Sequence, residues 1–134
     1  MVKRGPTNLG PYRLRRSALV RRGEIHFVNL EPAKSGEANK RQPAVIVSND
    51  GANVAAERTG QGVITIVPVT SNTSRVYPFQ VLLPANLTGL EQDSKAQAEQ
   101  VRSISVERLG SSIGEVPQDL MAELDEALRL HLAL

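Results

Sequence analysis

Residues 63–69 (VITIVPV) are the feature that most restricts what this chain can fold into, because only Thr65 among them is polar. A short run of mostly β-branched, apolar residues is typical of a strand that is buried on both faces of a sheet. The run is far too short to cross a membrane, which takes about 20 apolar residues. The sequence therefore predicts a soluble domain built around one central, deeply buried strand.

Several shorter segments have the β-branched or alternating character of strands and are bounded by residues that favour turns. They are residues 24–30, 43–48, 76–83, 96–104 and, more weakly, 113–116. Pro78 has no backbone N–H, so the segment that contains it belongs at a sheet edge or a bulge. Residues 51–62 are small and polar, with room for one helical turn at 54–58, and residues 84–93 are predicted to form a loop.

The C-terminal segment has the spacing of an amphipathic helix rather than of a strand. Its apolar residues and one histidine recur three or four positions apart, at Leu120, Leu124, Ala127, Leu128 and His131. Pro117 precedes them, where proline favours the start of a helix. Five or six short strands followed by one helix predict a mainly β (α+β) domain, a small, strongly bent sheet or barrel closed by a C-terminal helix.

The charges divide the chain into two regions. Residues 1–22 contain seven of the 16 lysines and arginines and no acidic residue, whereas the rest of the chain has a net charge of −5. Residues 1–20 also contain two Gly-Pro pairs, and we predict that they form a basic, flexible arm in front of a domain at 21–134. The formal charge of +2 therefore does not indicate that the domain itself binds nucleic acid.

Several kinds of chemistry are excluded by residues that the sequence lacks. It contains no cysteine, which excludes a disulfide scaffold, a thiolate metal site and a cysteine nucleophile. It also contains no HExxH metal motif, no glycine-rich phosphate loop and no GxSxG motif. Any catalytic site must therefore be built from other residue types.

The candidate site residues each have an ordinary structural interpretation beside the functional one. Arg41 precedes the strand at 43–48 and has a planar, charged group that suits phosphate, although a lone arginine is more often a solvated surface residue. Thr70 follows the most buried strand and can either donate to a phosphoryl oxygen or only complete a turn. Glu99 and Arg102 are three residues apart, so a regular strand turns them to opposite faces.

Longer segments resemble one known family. They are, in order, residues 20–25 (VRRGEI), 30–32 (LEP), 36–37 (GE), 42–50 (QPAVIVSND), 67–72 (VPVTSN), 77–81 (YPFQV) and 99–104 (EQVRSI). In order and spacing they are similar to the MazF/PemK toxins, and residues 124–128 (LDEAL) are similar to the closing helix of that family. The resemblance covers residues 20–134, and several ordered motifs are far more specific than one short pattern.

The resemblance implies a fold, an activity and partners. The fold would be a small SH3-like barrel closed by a C-terminal helix, working as a homodimer in the bacterial cytoplasm. The activity would be that of a sequence-specific endoribonuclease that cleaves single-stranded RNA and needs no metal or other cofactor. The partner would be a MazE-like antitoxin, whose acidic, flexible tail blocks the RNA groove.

The resemblance also implies a mechanism and its residues. The ribose 2′-hydroxyl attacks the adjacent phosphorus and leaves a 2′,3′-cyclic phosphate and a 5′-hydroxyl. Thr70 matches the threonine that holds the scissile phosphate in the family, and Glu99 matches the acidic residue proposed as a base in some members. The matching segments imply further substrate contacts at Glu24, Gln42, Ser71, Asn72, Gln100, Arg102 and Ser103.

One departure from the family leaves two alternatives open. The family has an arginine directly before the proline of its second strand, whereas this chain reads Arg41-Gln42-Pro43. One step along an extended chain turns a side chain to the other face. Either Arg41 reaches the phosphate from its shifted position, which we favour and which makes it a predicted catalytic residue, or Gln42 occupies the phosphate site with neutral hydrogen bonds and the enzyme is weak or uses another arginine.

Two functions of other classes remain as alternatives. A CcdB-like protein of the same fold poisons DNA gyrase by protein–protein contact, without catalysis. A degenerate toxin would only bind its antitoxin. Thr70, Ser71 and residues 99–103 favour the ribonuclease, and Gln42 leaves room for the others.

Overall fold

The computed structural model describes residues 20–30 and 41–134, so residues 1–19 of the predicted arm and residues 31–40 lie outside the described part. The strands are β1 (Glu24–Asn29), β2 (Arg41–Ile46), β3 (Val63–Thr70), β4 (Gln80–Leu83), β5 (Ser94–Gln97), β6 (Arg102–Ser105) and β7 (Leu109–Glu115). The helices are α1 (Asp50–Thr59), α2 (Ala85–Thr88) and α3 (Gln118–Leu132). Among these residues, no helix combines the length and the apolar character that crossing a membrane requires.

The strands form a mainly antiparallel sheet in which β3 has the central position. The order is β4-β5-β3-β2-β1-β7, and β6 also pairs with β3. The first half of β3 pairs with β6, and its last two residues pair with β5, so the sheet bends along β3. The prediction of a mainly β domain with a C-terminal helix is confirmed. No pairing between the described strands β4 and β7 closes the sheet, so closure into a barrel is not confirmed.

Both faces of β3 are buried, and this explains its almost continuous apolar sequence. Ile64 and Ile66 belong to a core cluster that includes Ala56 of α1, whereas Val67 and Val69 belong to a cluster that includes α3. The two helices therefore cover opposite faces of the sheet. Each fully buried isoleucine or valine stabilises the fold by roughly 1.5–3 kcal/mol relative to an exposed one.

Helix α1 is longer than the single turn predicted at 54–58. It has ten residues, and the side chain of Asn49 accepts a hydrogen bond from the backbone N–H of Ala52 at its start. Gly60, with φ of +71°, ends it in the left-handed conformation. A Cβ added at Gly62 would lie 2.4 Å from Cα of Ala56, so the helix packs directly against the backbone that leads into β3. Caps and packing therefore stabilise a helix whose sequence is mostly polar.

Four other predicted segments are wrong in extent. The strand predicted at 76–83 begins only at Gln80, and the predicted loop at 84–93 contains α2. The strand predicted at 96–104 is divided into β5 and β6 by the 3₁₀ turn Ala98–Gln100, and β7 is longer than 113–116. The turn separates the segment that pairs with the end of β3 from the segment that pairs with its beginning.

The predicted C-terminal helix is confirmed. Leu120, Leu124 and Ala127 are buried in the cluster beneath α3, and Leu128 packs against it. His131, the last member of the predicted stripe, is exposed. Pro117 lies at the N-cap, one position before the helix.

Candidate active site

The end of β3 presents Thr70 on the face of the sheet that is opposite to α3. Val69 pairs with Ala96 of β5, and both are buried in the α3 cluster. The next pair, Thr70 and Lys95, therefore points to the other face, because successive residues of a strand alternate. Directly opposed side chains have their Cβ atoms about 4.5–5.5 Å apart, so Thr70 and Lys95 are neighbours.

Gln42 lies on the other side of Thr70. Ala44 of β2 pairs with Pro68 of β3. The strands are antiparallel, so Gln42, two residues before Ala44, is opposite Thr70, two residues after Pro68, and the two side chains share a face. The side-chain amide of Gln42 donates to the carbonyl of Val69 at 3.5 Å, which agrees with this register. We call Gln42, Thr70 and Lys95, from the adjacent strands β2, β3 and β5, the polar row.

Arg41 lies on the opposite face of β2. It alternates with Gln42 and shares the face of Val45, which is buried in the α3 cluster. Its guanidinium carbon is 4.6 Å from the centroid of the Phe27 ring, a cation–π contact. Of the two positions that the sequence left open for the phosphate, Gln42 is therefore the one that shares a face with Thr70.

The turn after β3 holds the Thr70 hydroxyl in place. Its Oγ1 accepts a hydrogen bond from the backbone N–H of Asn72 at 3.2 Å, and Asn72 Oδ1 accepts bonds from the backbone N–H of Ser74 at 3.2 Å and its hydroxyl at 2.8 Å. Because Thr70 Oγ1 is an acceptor in this turn, its own proton can be donated to another oxygen. Ser71 lines a cavity of about 410 Å³ together with Phe27 and Val69, on the face of the sheet that Thr70 does not share.

Lys95 is a site residue that the sequence analysis missed. The residue is only 8% exposed, and Nζ donates to the backbone carbonyl of Arg75 at 2.6 Å. Nζ is also 5.9 Å from the centroid of the Tyr77 ring, above which the Arg75 guanidinium carbon lies at 5.7 Å. No local signal in the sequence identifies it, because its burial between Ser94 and Ala96 and its pairing with Thr70 come from the sheet.

Glu99 lies in the 3₁₀ turn and contacts the same surface through Gln80. Its Oε2 accepts a hydrogen bond from the side-chain amide of Gln80 at 2.7 Å, and Gln80 Oε1 accepts one from the backbone N–H of Tyr77 at 3.1 Å. Its other oxygen, Oε1, is buried and has no hydrogen-bond partner among residues 20–30 and 41–134. Gln80 of β4 pairs with Gln97 of β5, which is two residues from Lys95. Gln80 therefore lies on the same face of the sheet as Lys95. Within the part of the chain that is described, no hydrogen bond joins Glu99 to Thr70.

The remaining predicted contacts are more scattered. Gln100, Arg102 and Ser103 are exposed, and Arg102 is paired with Ile66 in the middle of β3. Glu24 lies at the end of β1 that is remote from Arg41, since Asn29 is the β1 residue paired with Arg41. Glu24 Oε1 is bound to His26 Nε2 at 2.8 Å, so the structure does not bring Glu24 to the polar row. Histidine, aspartate and glutamate residues within the described ranges form no group of three that could hold a metal ion.

The bent antiparallel sheet and the C-terminal helix agree with the fold that the family resemblance implied. A sequence model of the family described as PemK-like, MazF-like toxin of type II toxin-antitoxin system matches residues 21–132. The chain belongs to this family.

Particular relatives agree with this assignment. Endoribonuclease MazF9 of Mycobacterium tuberculosis is 62% identical over 116 residues, which are 87% of this chain and 98% of that protein. The crystal structure of MazF from Deinococcus radiodurans has a TM-score of 0.66 at 28% identity and covers 88% of this chain and 100% of that one. A mycobacterial endoribonuclease in complex with its cognate antitoxin has a TM-score of 0.64 at 25% identity, over 86% of this chain and 96% of that one.

Proposed function

We propose that this toxin is a sequence-specific endoribonuclease that cleaves single-stranded RNA without a metal ion. The observation that carries the proposal is the hydroxyl of Thr70, held by a turn at the end of β3 between Gln42 and Lys95. The 62% identity between this chain and a protein named as an endoribonuclease, over nearly the whole of that protein, supports the same activity.

The reaction needs two proton transfers and stabilisation of a charged phosphorane. A base removes the proton from the ribose 2′-oxygen, which forms a bond to the phosphorus. The bond from phosphorus to the 5′-oxygen then breaks, and that oxygen takes up a proton from solvent water. The products are a 2′,3′-cyclic phosphate and a 5′-hydroxyl, and the hydroxyl of Thr70 donates a hydrogen bond to a non-bridging phosphate oxygen as negative charge develops there.

Glu99 is the proposed base, on the strength of the family resemblance. The side-chain amide of Gln80 orients one of its carboxylate oxygens. A base oriented by a second group is a recurrent arrangement in enzymes. Ser71, Asn72, Gln100, Arg102 and Ser103 are also proposed to contact the RNA, because they match the family segments, whereas the pairing of Glu24 with His26 assigns Glu24 to supporting β1.

The proposed phosphate site uses the side of the sheet that carries Gln42. The sequence-based prediction that Arg41 is catalytic remains a prediction, and its contact with Phe27 on the opposite face argues against it. Gln42 can donate two neutral hydrogen bonds from its amide but brings no charge.

The assembly is proposed from the relatives. A structurally similar endoribonuclease was solved in complex with its cognate antitoxin, so we propose a MazE-like antitoxin as the partner of this chain. We also propose that the chain acts as a homodimer in the bacterial cytoplasm. The bent sheet would then correspond to the family's SH3-like barrel, with its opening between β4 and β7.

The test is cleavage of single-stranded RNA by the purified protein in the presence of EDTA. Discrete fragments that end in a 2′,3′-cyclic phosphate and begin with a 5′-hydroxyl are the expected result. Intact RNA would refute the proposal. Intact RNA with trapped gyrase–DNA complexes would instead identify a gyrase poison, and tight antitoxin binding without growth arrest would identify a degenerate toxin.

A further inference from the structure

We propose that Lys95 supplies the positive charge at the scissile phosphate that the glutamine at position 42 does not supply. This inference rests on the proposed ribonuclease activity and assigns a substrate-binding role to a residue outside the motifs of the family resemblance. Lys95 is a phosphate-binding residue in this view and transfers no proton.

The placement of Lys95 is the first argument. It pairs directly with Thr70 and points to the same face, whereas Arg41 points to the other face. Gln42 and Lys95 flank Thr70 from opposite sides, since β3 lies between β2 and β5. A phosphate bound to the Thr70 hydroxyl can therefore be approached by a cation from the β5 side.

The state of the Lys95 side chain is the second argument. A buried ammonium group costs several kcal/mol unless it is compensated, and the described contact is one hydrogen bond to a neutral carbonyl, that of Arg75, beside the Tyr77 ring. An ammonium group has three donors, so two remain for phosphate oxygens. Lys95 takes part in none of the three salt bridges between the residues that the structure describes.

The alternative is that Lys95 only fastens the segment around Arg75 and Tyr77 to the sheet. Its bond to the Arg75 carbonyl would serve that purpose without any contact with RNA. Variants that separate the charge from the hydrogen bond distinguish the two roles. Lys95→Gln keeps a donor for the carbonyl and removes the charge, and Lys95→Met removes both.

The first experiment compares single-turnover cleavage of a short single-stranded RNA by the intact protein and its variants. Both Lys95 variants should cleave about 10²-fold more slowly, because a preorganised group that stabilises transition-state charge is typically worth ~10²–10³ in rate. Arg58→Met is the matched control for net charge, since Arg58 is exposed in the last turn of α1, and its rate should stay within about twofold of the wild type. If Lys95→Gln cleaves as fast as the wild type while Lys95→Met is slow, the lysine only fastens the segment and the proposal is overturned.

The second experiment asks whether positions 42 and 95 serve the same phosphate. Gln42→Arg should raise the rate of Lys95→Met at least about tenfold and raise the wild-type rate by a much smaller factor, because two cations at one phosphate are partly redundant. An equal factor in both backgrounds would mean independent roles and would overturn the proposal. A variant that only loosened the fold would not be rescued by a new arginine on β2.

A binding measurement covers the case in which no variant cleaves. The affinity for a 2′-deoxy single strand, which cannot be cut by this reaction, is measured as a function of salt concentration. Loss of one phosphate contact should reduce the slope of log K against log salt by about 0.7 for Lys95→Gln and leave it unchanged for Arg58→Met. An unchanged slope for Lys95→Gln refutes the role of Lys95, whereas an inactive wild type with a normal slope refutes the ribonuclease proposal alone.

Discussion

Replacing Thr70 by valine is the sharpest perturbation of the proposed site, because it removes a hydroxyl and keeps the β-branched shape that a strand favours. In the structure this hydroxyl accepts one hydrogen bond, from the backbone N–H of Asn72 at 3.2 Å. In the proposed reaction it also donates to the phosphate. The variant therefore loses a turn contact and a catalytic contact, and the two losses differ greatly in size.

The turn contact is a neutral hydrogen bond near solvent, and its loss should destabilise the fold by no more than about 1 kcal/mol. Small domains are typically stable by about 5–15 kcal/mol, so practically all of the protein stays folded. The catalytic contact is worth roughly 2.7–4 kcal/mol of transition-state stabilisation, which corresponds to a ~10²–10³-fold slower reaction. A rate loss of that size cannot arise from unfolding.

The assay is single-turnover cleavage of a short single-stranded RNA with the protein in excess, together with thermal unfolding followed by circular dichroism. Thr70→Ser is the matched variant, because it restores the hydroxyl and should recover most of the lost rate. The reasoning is refuted if Thr70→Val cleaves within about threefold of the wild-type rate while remaining folded.

Three further predictions concern the site and its support. Arg41→Ala should slow cleavage less than Gln42→Ala does under the same assay, because Arg41 stacks on Phe27 on the face that Thr70 does not share; the reverse order would restore Arg41 as the phosphate ligand. Gly62→Ala should destabilise the fold by about 1–3 kcal/mol in denaturant unfolding, because the new Cβ would lie 2.4 Å from Cα of Ala56. Gly51→Ala, in the first turn of α1, is the control: its Cβ meets only a side-chain oxygen at 3.2 Å, and the change should be neutral or stabilising. Leu124→Ala, at a fully buried position of α3, should cost about 2–5 kcal/mol, against about 0.5 kcal/mol or less for the exposed Leu130→Ala; equal midpoints for these two would contradict the packing of α3.

The parts of the fold that were predicted correctly are those with a strong local pattern. The apolar run at 63–69 is the central strand, and the spacing of Leu120, Leu124 and Ala127 is a helix with those residues buried. The family resemblance extended the prediction to the toxin class, which the match over residues 21–132 confirms. Patterns of this kind can be read from a sequence because burial of one face or of both faces repeats at a fixed interval.

The parts that were wrong depend on partners that are distant in the chain. Residues 50–59 form a helix although few of them are apolar. Ala56 belongs to a core cluster with Val28 and Ile104, and the backbone N–H groups of Val20 and Arg22 donate to the side chains of Glu57 and Asp50. Residues 96–104 are not one strand, because β3 needs different partners along its two halves and the 3₁₀ turn separates them. No local pattern reports either requirement.

The amino-acid sequence by itself determined the class of this protein, the central strand, the closing helix and the threonine at the end of that strand, since each depends on neighbours in the chain. The tertiary structure alone decided which charged side chain stands beside that threonine. Arg41 is one residue from the motif position but turned to the other face, whereas Lys95, 25 positions from Thr70 in the chain, is its direct cross-strand neighbour. The physical reason is that alternation along a strand separates adjacent residues, and pairing between strands joins distant ones.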